Sequence, residues 1–317
     1  MLPNSVEIML ASLSNNTYQQ YDGCFKAWLK YCKEKQINYL DPSIPLIIDF
    51  LTKIFENGAK YGTVNSYKSA LLLLLGSQSV DDRLKRFMKG VFRLRPPGPR
   101  YNLTWDTNIV LNYLSNFWPN ESLDLETLSK KTSTLLALVT AHRVQTLALI
   151  KLTNIKIFEN IEIIIKIPDL IKTSKLNSFQ PLLKLPFFNE KHEICPAKAI
   201  TSYIQKTRLL RTKGQDCLFL SIKNPHQNIS SQRLSHWIKN TIQNSGVDTS
   251  VFSAHSTRHA ATSAASRLGV NLDVIRKTAG WSRTSSVFAK FYNREVITDD
   301  NQFALSILSN NNNINDS

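Results

Sequence analysis

The hydrophobic positions in the first third of the chain recur every three or four residues, which is the period of an amphipathic α-helix. Asn16 and Thr17 precede the first such stretch as candidate caps, and Asp41 with Pro42 interrupts the pattern after it. The four predicted helices cover residues 18–32, 47–54, 64–74 and 82–92. The pattern therefore predicts an all-helical domain over residues 1–94.

A short proline-rich segment follows the predicted helical domain. Residues 95–99 read RPPGP, and proline cannot continue a helix because it lacks a backbone N–H and has a fixed φ. Such a segment favours an extended conformation. We therefore predict a linker over residues 95–104, with a domain boundary there.

The rest of the chain combines helical and strand patterns. Residues 105–117 and 125–140 have the helical period, whereas residues 155–187 are β-branched and alternating, with a hairpin turn and a returning strand. Further helices are predicted over residues 200–210, 232–245, 260–268 and 272–279. The expected fold is mainly α with a small β-sheet (α+β). Its second domain covers residues 105–308, and an asparagine-rich, disordered tail covers 309–317.

Composition and charge limit the classes of protein to which this chain could belong. The chain has 317 residues, 42% of them hydrophobic, and a formal net charge of +15. This hydrophobic share suffices for packed cores and argues against wholesale disorder. The positive charge indicates a nucleic-acid partner, with a basic surface kept for solubility as the alternative. Residues 83–100 contain seven Lys or Arg and no acid, which suits either a phosphate backbone or a solvated helix face.

Other features argue against a membrane or secreted protein. The longest apolar run, residues 70–75, is far shorter than the ~20 residues of a membrane span. The N-terminal segment lacks the basic and apolar pattern of a secretory signal. Cys24, Cys32, Cys195 and Cys217 are too few for a disulfide framework in a chain of this length. We therefore expect an intracellular protein with no membrane partner.

Six side chains in the second domain are basic, aromatic or phenolic where apolar packing alone would not require them. They are Arg143, Lys172, His255, Arg258, Trp281 and Tyr292. Arg143 lies between two apolar helical stretches, and Lys172 lies at the predicted hairpin turn. His255 and Arg258 are three residues apart at the start of a predicted helix. They therefore share one face, and the backbone N–H groups there favour an anion.

Metal-binding alternatives lack the necessary ligands. His255 and His259 have the i, i+4 spacing of a two-histidine metal site, but no third ligand or acidic base accompanies them. His192 and Cys195 likewise lack the second pair of ligands that a zinc site needs. No metal site is therefore predicted.

Taken in order, the six residues resemble the catalytic set of the tyrosine recombinases, the phage-integrase type of site-specific recombinases. That family has an arginine after a helix, a lysine in a β-hairpin, an H-x-x-R box, a Trp or His after glycine, and a tyrosine further on. The first domain, with T-x-x-x-Y-x-x-A over residues 63–70, resembles the family's core-binding (SAM-like) DNA-binding domain. The strings KTSKLNSFQPLLKLP and FAKFYNR resemble recombinases of Crypton-type and DIRS-type eukaryotic mobile elements.

The resemblance implies an enzyme that cuts and rejoins DNA strands for a mobile element, with residues 105–308 as its catalytic domain. Tyr292 would be the nucleophile that forms a 3′-phosphotyrosyl intermediate. Lys172 would be the general acid, with Lys175 as the alternative lysine. The residues implied to bind the phosphate and assist the nucleophile are Arg143, His255, Arg258 and Trp281.

The resemblance also implies partners, cofactors and a location. The expected partner is double-stranded DNA, bound by a homo-oligomer that forms a tetramer on paired sites. No metal, ATP or other cofactor is expected, because the phosphotyrosyl bond keeps the energy for rejoining. The expected location is the nucleus in a eukaryote and the cytoplasm otherwise.

One residue departs from the pattern of the family, and three other functions stay open. Many bacterial members have an acidic residue three positions after the first arginine, where this chain has Thr146. His259 belongs either to the site or to the structure around it. The alternatives are a domesticated, transposon-derived DNA-binding protein without catalysis, a type IB topoisomerase, and a basic scaffold protein.

Overall fold

The computed structural model describes residues 3–76, 81–98, 102–176 and 179–281. By its internal contacts the chain divides into two compact units, Met1–Pro99 and Arg100–Ser317. Each unit contains its own cluster of buried hydrophobic residues. We refer to them as the N-terminal unit and the C-terminal unit.

The described part of the N-terminal unit is helical. Its helices are α1 (Pro3–Leu10), α2 (Asn15–Lys35), α3 (Ile44–Glu56), α4 (Tyr61–Leu75) and α5 (Asp82–Leu94). Helix α1 is additional to the four predicted helices. The predicted cap at Asn16 and Thr17 is wrong, because the Ser14 side chain caps α2 by accepting a hydrogen bond from the Thr17 N–H at 3.2 Å.

Aromatic residues of α2 and α3 form the centre of the N-terminal unit. Trp28 is fully buried, and its ring meets Phe50 edge to face with 5.1 Å between the ring centroids. The Trp28 indole N–H donates to the Tyr39 carbonyl at 3.1 Å. Just after α5, Arg95 stacks on the Phe55 ring at 4.1 Å and donates to the Phe55 carbonyl at 3.1 Å. This arginine therefore contributes to the packing of the unit.

The described part of the C-terminal unit is mostly helical. Its helices are α6 (Thr107–Ser115), α7 (Leu125–Thr140), α8 (Val144–Ala148), α9 (Pro196–Thr207), α10 (Ser231–Asn244), α11 (Ser256–Arg267) and α12 (Leu272–Thr278). The predicted helix over 105–117 begins only at Thr107, because the Asp106 carboxylate accepts a hydrogen bond from the Asn108 N–H at 3.0 Å. Helix α9 begins earlier than predicted, at Pro196, since proline suits the first turn of a helix.

Three antiparallel strands form one small sheet in the order β1-β2-β3. They are β1 (Ile155–Phe158), β2 (Glu162–Lys166) and β3 (Leu182–Pro186). The alternating stretch before the hairpin contains two strands, because Asn160 at a φ of 58° reverses the chain between β1 and β2. Ile163, Ile165 and Leu183 are buried, so one face of the sheet packs on the core. The connection between β2 and β3 covers residues 167–181.

Helix α7 lies at the centre of the C-terminal unit. Leu128, Leu135 and Leu136 are fully buried, and the helix packs against α9, α10 and α11. The Thr132 hydroxyl donates to the Ala199 carbonyl of α9 at 3.3 Å. The prediction of a mainly α fold with a small β-sheet is confirmed. Within the described ranges, no helix combines the length and the apolar character needed to cross a membrane.

Candidate active site

Arg143 lies at the junction between α7 and α8. Helix α7 ends because Ala141 adopts the left-handed conformation, with a φ of 48°. Arg143 is half-buried and is the N-cap residue of α8. Its carbonyl accepts hydrogen bonds from the backbone N–H groups of Thr146 at 2.8 Å and Leu147 at 3.2 Å. The first turn of α8 thus fixes the backbone of this arginine.

Arg258 lies in the first turn of α11 and is only 1% exposed. Its Nη1 atom donates to the Ala141 carbonyl at 2.8 Å, which joins the start of α11 to the loop that carries Arg143. Because a guanidinium cannot be deprotonated in a protein, Arg258 brings a permanent positive charge to this position.

Trp281 lies against the same guanidinium. The Arg258 Cζ atom is 4.2 Å from the centroid of the Trp281 ring, which is a close cation–π contact. The Trp281 backbone N–H donates to the Arg276 carbonyl of α12 at 2.8 Å, and the side chain packs against Ile275. Helix α12 thus places the indole beside Arg258.

His255 interacts electrostatically with residues from the other parts of the site. It lies immediately before α11. Desolvation of its ring by the surrounding atoms lowers its pKa. The positive charges of Arg258, Arg143 and Lys172 lower the pKa of His255 further. Four of the six predicted residues are therefore close enough to interact electrostatically.

Lys172 is exposed in a turn of the β2–β3 connection. The turn is closed by a hydrogen bond from the Ser174 N–H to the Ile171 carbonyl at 2.9 Å. The Ser174 hydroxyl accepts from the Ile171 N–H at 2.9 Å and donates to the Gln180 side chain, also at 2.9 Å. This turn presents Lys172 on its outer side, and Lys175, the alternative lysine, is also exposed.

Two residues that the sequence analysis did not assign to the site lie within it. The imidazole of His142 is 6% exposed, and burial lowers its pKa to about 4, with Arg258 and Arg143 adding to the shift. Gly280 has a φ of +67°, and a Cβ atom built there would lie 2.9 Å from His142 Cε1. The only sequence signals were their positions, immediately before Arg143 and Trp281.

A buried hydrogen bond ties α11 to the beginning of the C-terminal unit. The indole N–H of Trp105 donates to the Ser256 hydroxyl at 2.8 Å, and that hydroxyl donates to the Ser253 carbonyl at 2.6 Å. Ser256 lies between His255 and the rest of α11. The segment before α6 therefore helps to fix the first turn of the helix that carries Arg258 and directly follows His255.

Tyr292 lies outside the described residues. His259 is buried beside His255, with 5.5 Å between the ring centroids. Thr146, at the position of the family's acidic residue, is also buried. In the part of the chain that the structure describes, no group of three or more His, Cys, Asp or Glu could hold a metal ion.

The arrangement suits the binding of a phosphate whose negative charge increases during a reaction. Arg143 and Arg258 offer planar, permanently charged donors, and such preorganised donors stabilise a developing oxyanion strongly. His255 has a lowered pKa and is neutral at neutral pH, so its ring can accept a proton. Lys172 presents its side chain from the exposed turn.

The basic residues of the predicted run 83–100 that lie in the N-terminal unit fall into two groups: those with a described partner and those without. Arg83 pairs with Asp81 at 2.7 Å, Lys85 pairs with Asp82 at 2.9 Å, and Arg95 packs as described above. The other basic side chains of α5 are likewise exposed, and no acidic partner is described for them; they are Arg86, Lys89 and Arg93. These three form the exposed basic surface of α5.

Comparison with solved structures identifies the same architecture. The XerH site-specific recombinase bound to palindromic difH substrate shares 14% identity over 93% of this chain and 79% of its own, with a TM-score of 0.60. The Tn1549 transposon integrase in complex with transposon right end DNA shares 15% identity over 94% of both chains, with a TM-score of 0.58. A lambda integrase tetramer bound to a Holliday junction shares 15% identity over 89% of this chain and 77% of its own, with a TM-score of 0.51. At these identities the likeness establishes the fold.

The family itself follows from the sequence. Among curated proteins, none matches this chain. The sequence model of the phage integrase family matches residues 111–296, which is more than half of the 317 residues and includes all six predicted site residues. The protein is therefore a tyrosine recombinase of the phage integrase family.

Proposed function

We propose that the protein cuts and rejoins double-stranded DNA at specific sites through Tyr292, with Arg143, Lys172, His255, Arg258 and Trp281 as the other catalytic residues. The observation that carries this proposal is that Arg258 donates at 2.8 Å to the Ala141 carbonyl, in the loop of Arg143, and lies 4.2 Å from the Trp281 ring centroid. These residues come from three separate parts of the sequence. Cationic side chains that converge in this way suit one phosphate of the DNA backbone.

In the proposed reaction, the Tyr292 hydroxyl attacks the phosphorus of one DNA strand. A bond forms between the tyrosine oxygen and phosphorus, and the bond from phosphorus to the 5′-oxygen breaks, which leaves a 3′-phosphotyrosyl link and a 5′-hydroxyl. His255 accepts the phenolic proton, and Lys172 gives a proton to the leaving oxygen. Rejoining reverses these steps, so the reaction consumes neither ATP nor a redox equivalent.

We further propose how the whole molecule is used. Residues 1–94 would form a DNA-binding domain that contacts the phosphate backbone through the exposed basic surface of α5, and residues 105–308 would form the catalytic domain. Residues 95–104 would link the two domains, and residues 309–317 would form a tail. The lambda integrase tetramer supports a homotetramer on paired sites, and the Tn1549 transposon integrase supports a mobile element as the source. A nuclear location would follow for a eukaryotic host.

Covalent trapping tests the proposed function. Wild-type protein and Tyr292→Phe are incubated with nicked duplexes taken from the DNA that flanks the gene, and the products are separated under denaturing conditions. We expect a protein–DNA band with the wild type only, and equal DNA affinity for both proteins, because the substitution removes only the attacking oxygen. A covalent band with Tyr292→Phe would contradict the assignment. Retained DNA binding without a band on any duplex would favour the non-catalytic DNA-binding protein.

A further inference from the structure

The contact between His142 and Gly280 joins two parts of the site that are far apart in the sequence. We propose that His142 is a positioning residue for strand cleavage: its ring determines the position of Gly280 and so keeps Trp281 against Arg258. This inference rests on the proposed function and adds a residue to it.

The contact at Gly280 is unusually close. A Cβ atom at this position would lie 2.9 Å from Cε1 and 3.5 Å from Nδ1 of His142, so the ring fills the space that a side chain would need. The chain has ten glycines, all of them described, and only Gly280 has any such neighbour within 4 Å. Gly269, for example, has a similar φ of +79° but open space around it. The positive φ alone therefore does not explain the environment of Gly280.

The structure also holds His142 from its other side. The ring is almost completely buried, and the backbone N–H donates to the Thr140 hydroxyl at 3.3 Å. The preceding residue, Ala141, accepts the hydrogen bond from Arg258. His142 therefore lies between an anchored backbone and Gly280, so a shift of its ring is transmitted to Trp281, the next residue along the chain.

The charges around His142 favour a neutral imidazole over a protonated one. The charged groups that act on His142 are Arg258 of α11 and Arg143 of its own loop, and both disfavour a third positive charge. A lysine would place a cation beside them, and an alanine would leave the space beside Gly280 empty. Glutamine is neutral and can fill part of the same volume.

A double-mutant cycle with His142→Ala and Gly280→Ala tests this proposal. We expect His142→Ala to slow covalent complex formation at saturating nicked duplex by roughly 10- to 100-fold, as a misplaced catalytic group does, with DNA affinity within about twofold of wild type. His142→Gln is expected to recover most of the rate. Gly280→Ala is expected to cost less in the His142→Ala background than in the wild type, because its methyl group then meets no ring.

Two matched variants serve as controls. Gly269→Ala introduces a methyl group at a similar φ without a neighbouring ring, and His236→Ala removes an exposed imidazole from α10. Additive effects of the two substitutions would overturn the proposal, as would wild-type cleavage by His142→Ala or an equal loss of DNA affinity. A wild type that forms no covalent complex contradicts the proposed function instead. The thermal unfolding midpoints of the same variants then decide whether the two residues are coupled.

Discussion

Arg258 carries a permanent positive charge at a position that is almost completely shielded from solvent. Its guanidinium is 1% exposed, bonded to the Ala141 carbonyl and stacked on Trp281. A lysine would keep a charge but lose both the planar stacking surface and the fork that binds two phosphate oxygens at once. Chemistry at the residue scale therefore depends on the shape of the cation as well as on its charge.

His142 makes the stability of the fold depend on pH. Burial, and then the charges of Arg258 and Arg143, lower its pKa from 6.5 to about 4. Below pH 6.5 the unfolded chain binds a proton that the folded chain does not bind until about pH 4, so stability falls as the pH falls through this window. Between these two pH values, we expect the wild type to lose on the order of 3 kcal/mol more unfolding free energy than His142→Gln.

Urea unfolding of both proteins at the two pH values measures this difference. The carboxyl groups that titrate in the same range are common to both proteins, so they cancel in the comparison. Equal losses for wild type and variant would mean that His142 is not held in its neutral form.

At the scale of elements, the first turn of α11 is held by a hydrogen bond from Trp105, which precedes α6. Trp105→Phe removes the hydrogen bond to Ser256 and keeps most of the apolar contact, so we expect a loss of about 1 kcal/mol in unfolding free energy. Because Ser256 follows His255, we also expect slower covalent complex formation with unchanged DNA affinity. The matched control is Trp118→Phe, at a residue that is 41% exposed. Equal cleavage rates for the two variants would contradict this role of Trp105.

Most of the elements could be predicted from periodicity, but α1 and the division between β1 and β2 could not, and neither could several of the ends. Ser14 and Asp106 determine where α2 and α6 begin through single side-chain hydrogen bonds, and the pattern of apolar residues does not report these. The contact between His142 and Gly280 depends on the tertiary fold, so no local spacing indicates it. Tyr292 could be listed as a candidate from the sequence, but only the resemblance gave it the role of nucleophile, because a lone tyrosine has no local signature.

At the scale of the whole molecule, the net charge of +15 leads to a prediction about salt. Each phosphate contact lowers the slope of log affinity against log salt by roughly 0.9, because binding releases counterions. We therefore expect a steep slope for the wild type. We expect a slope shallower by up to about 3 × 0.9 when Arg86, Lys89 and Arg93 are all changed to Gln.

Fluorescence anisotropy with a labelled duplex over a series of salt concentrations measures these slopes. The control is Lys26→Gln, which removes a charge that α2 already pairs with Asp22 at 2.6 Å. An unchanged slope for the triple variant would exclude the exposed basic surface of α5 from the DNA interface.

The hydrogen bond between Trp105 and Ser256 has a mechanical consequence. Thr104 and Trp105 are both buried, only a few residues after the division between the two units at Pro99 and Arg100. The indole therefore links the beginning of the C-terminal unit to the first turn of α11, so strain in the chain at Trp105 is carried to that turn. Within the proposed reaction, the position of His255, which precedes Ser256, would thus be sensitive to how the chain is held at Trp105.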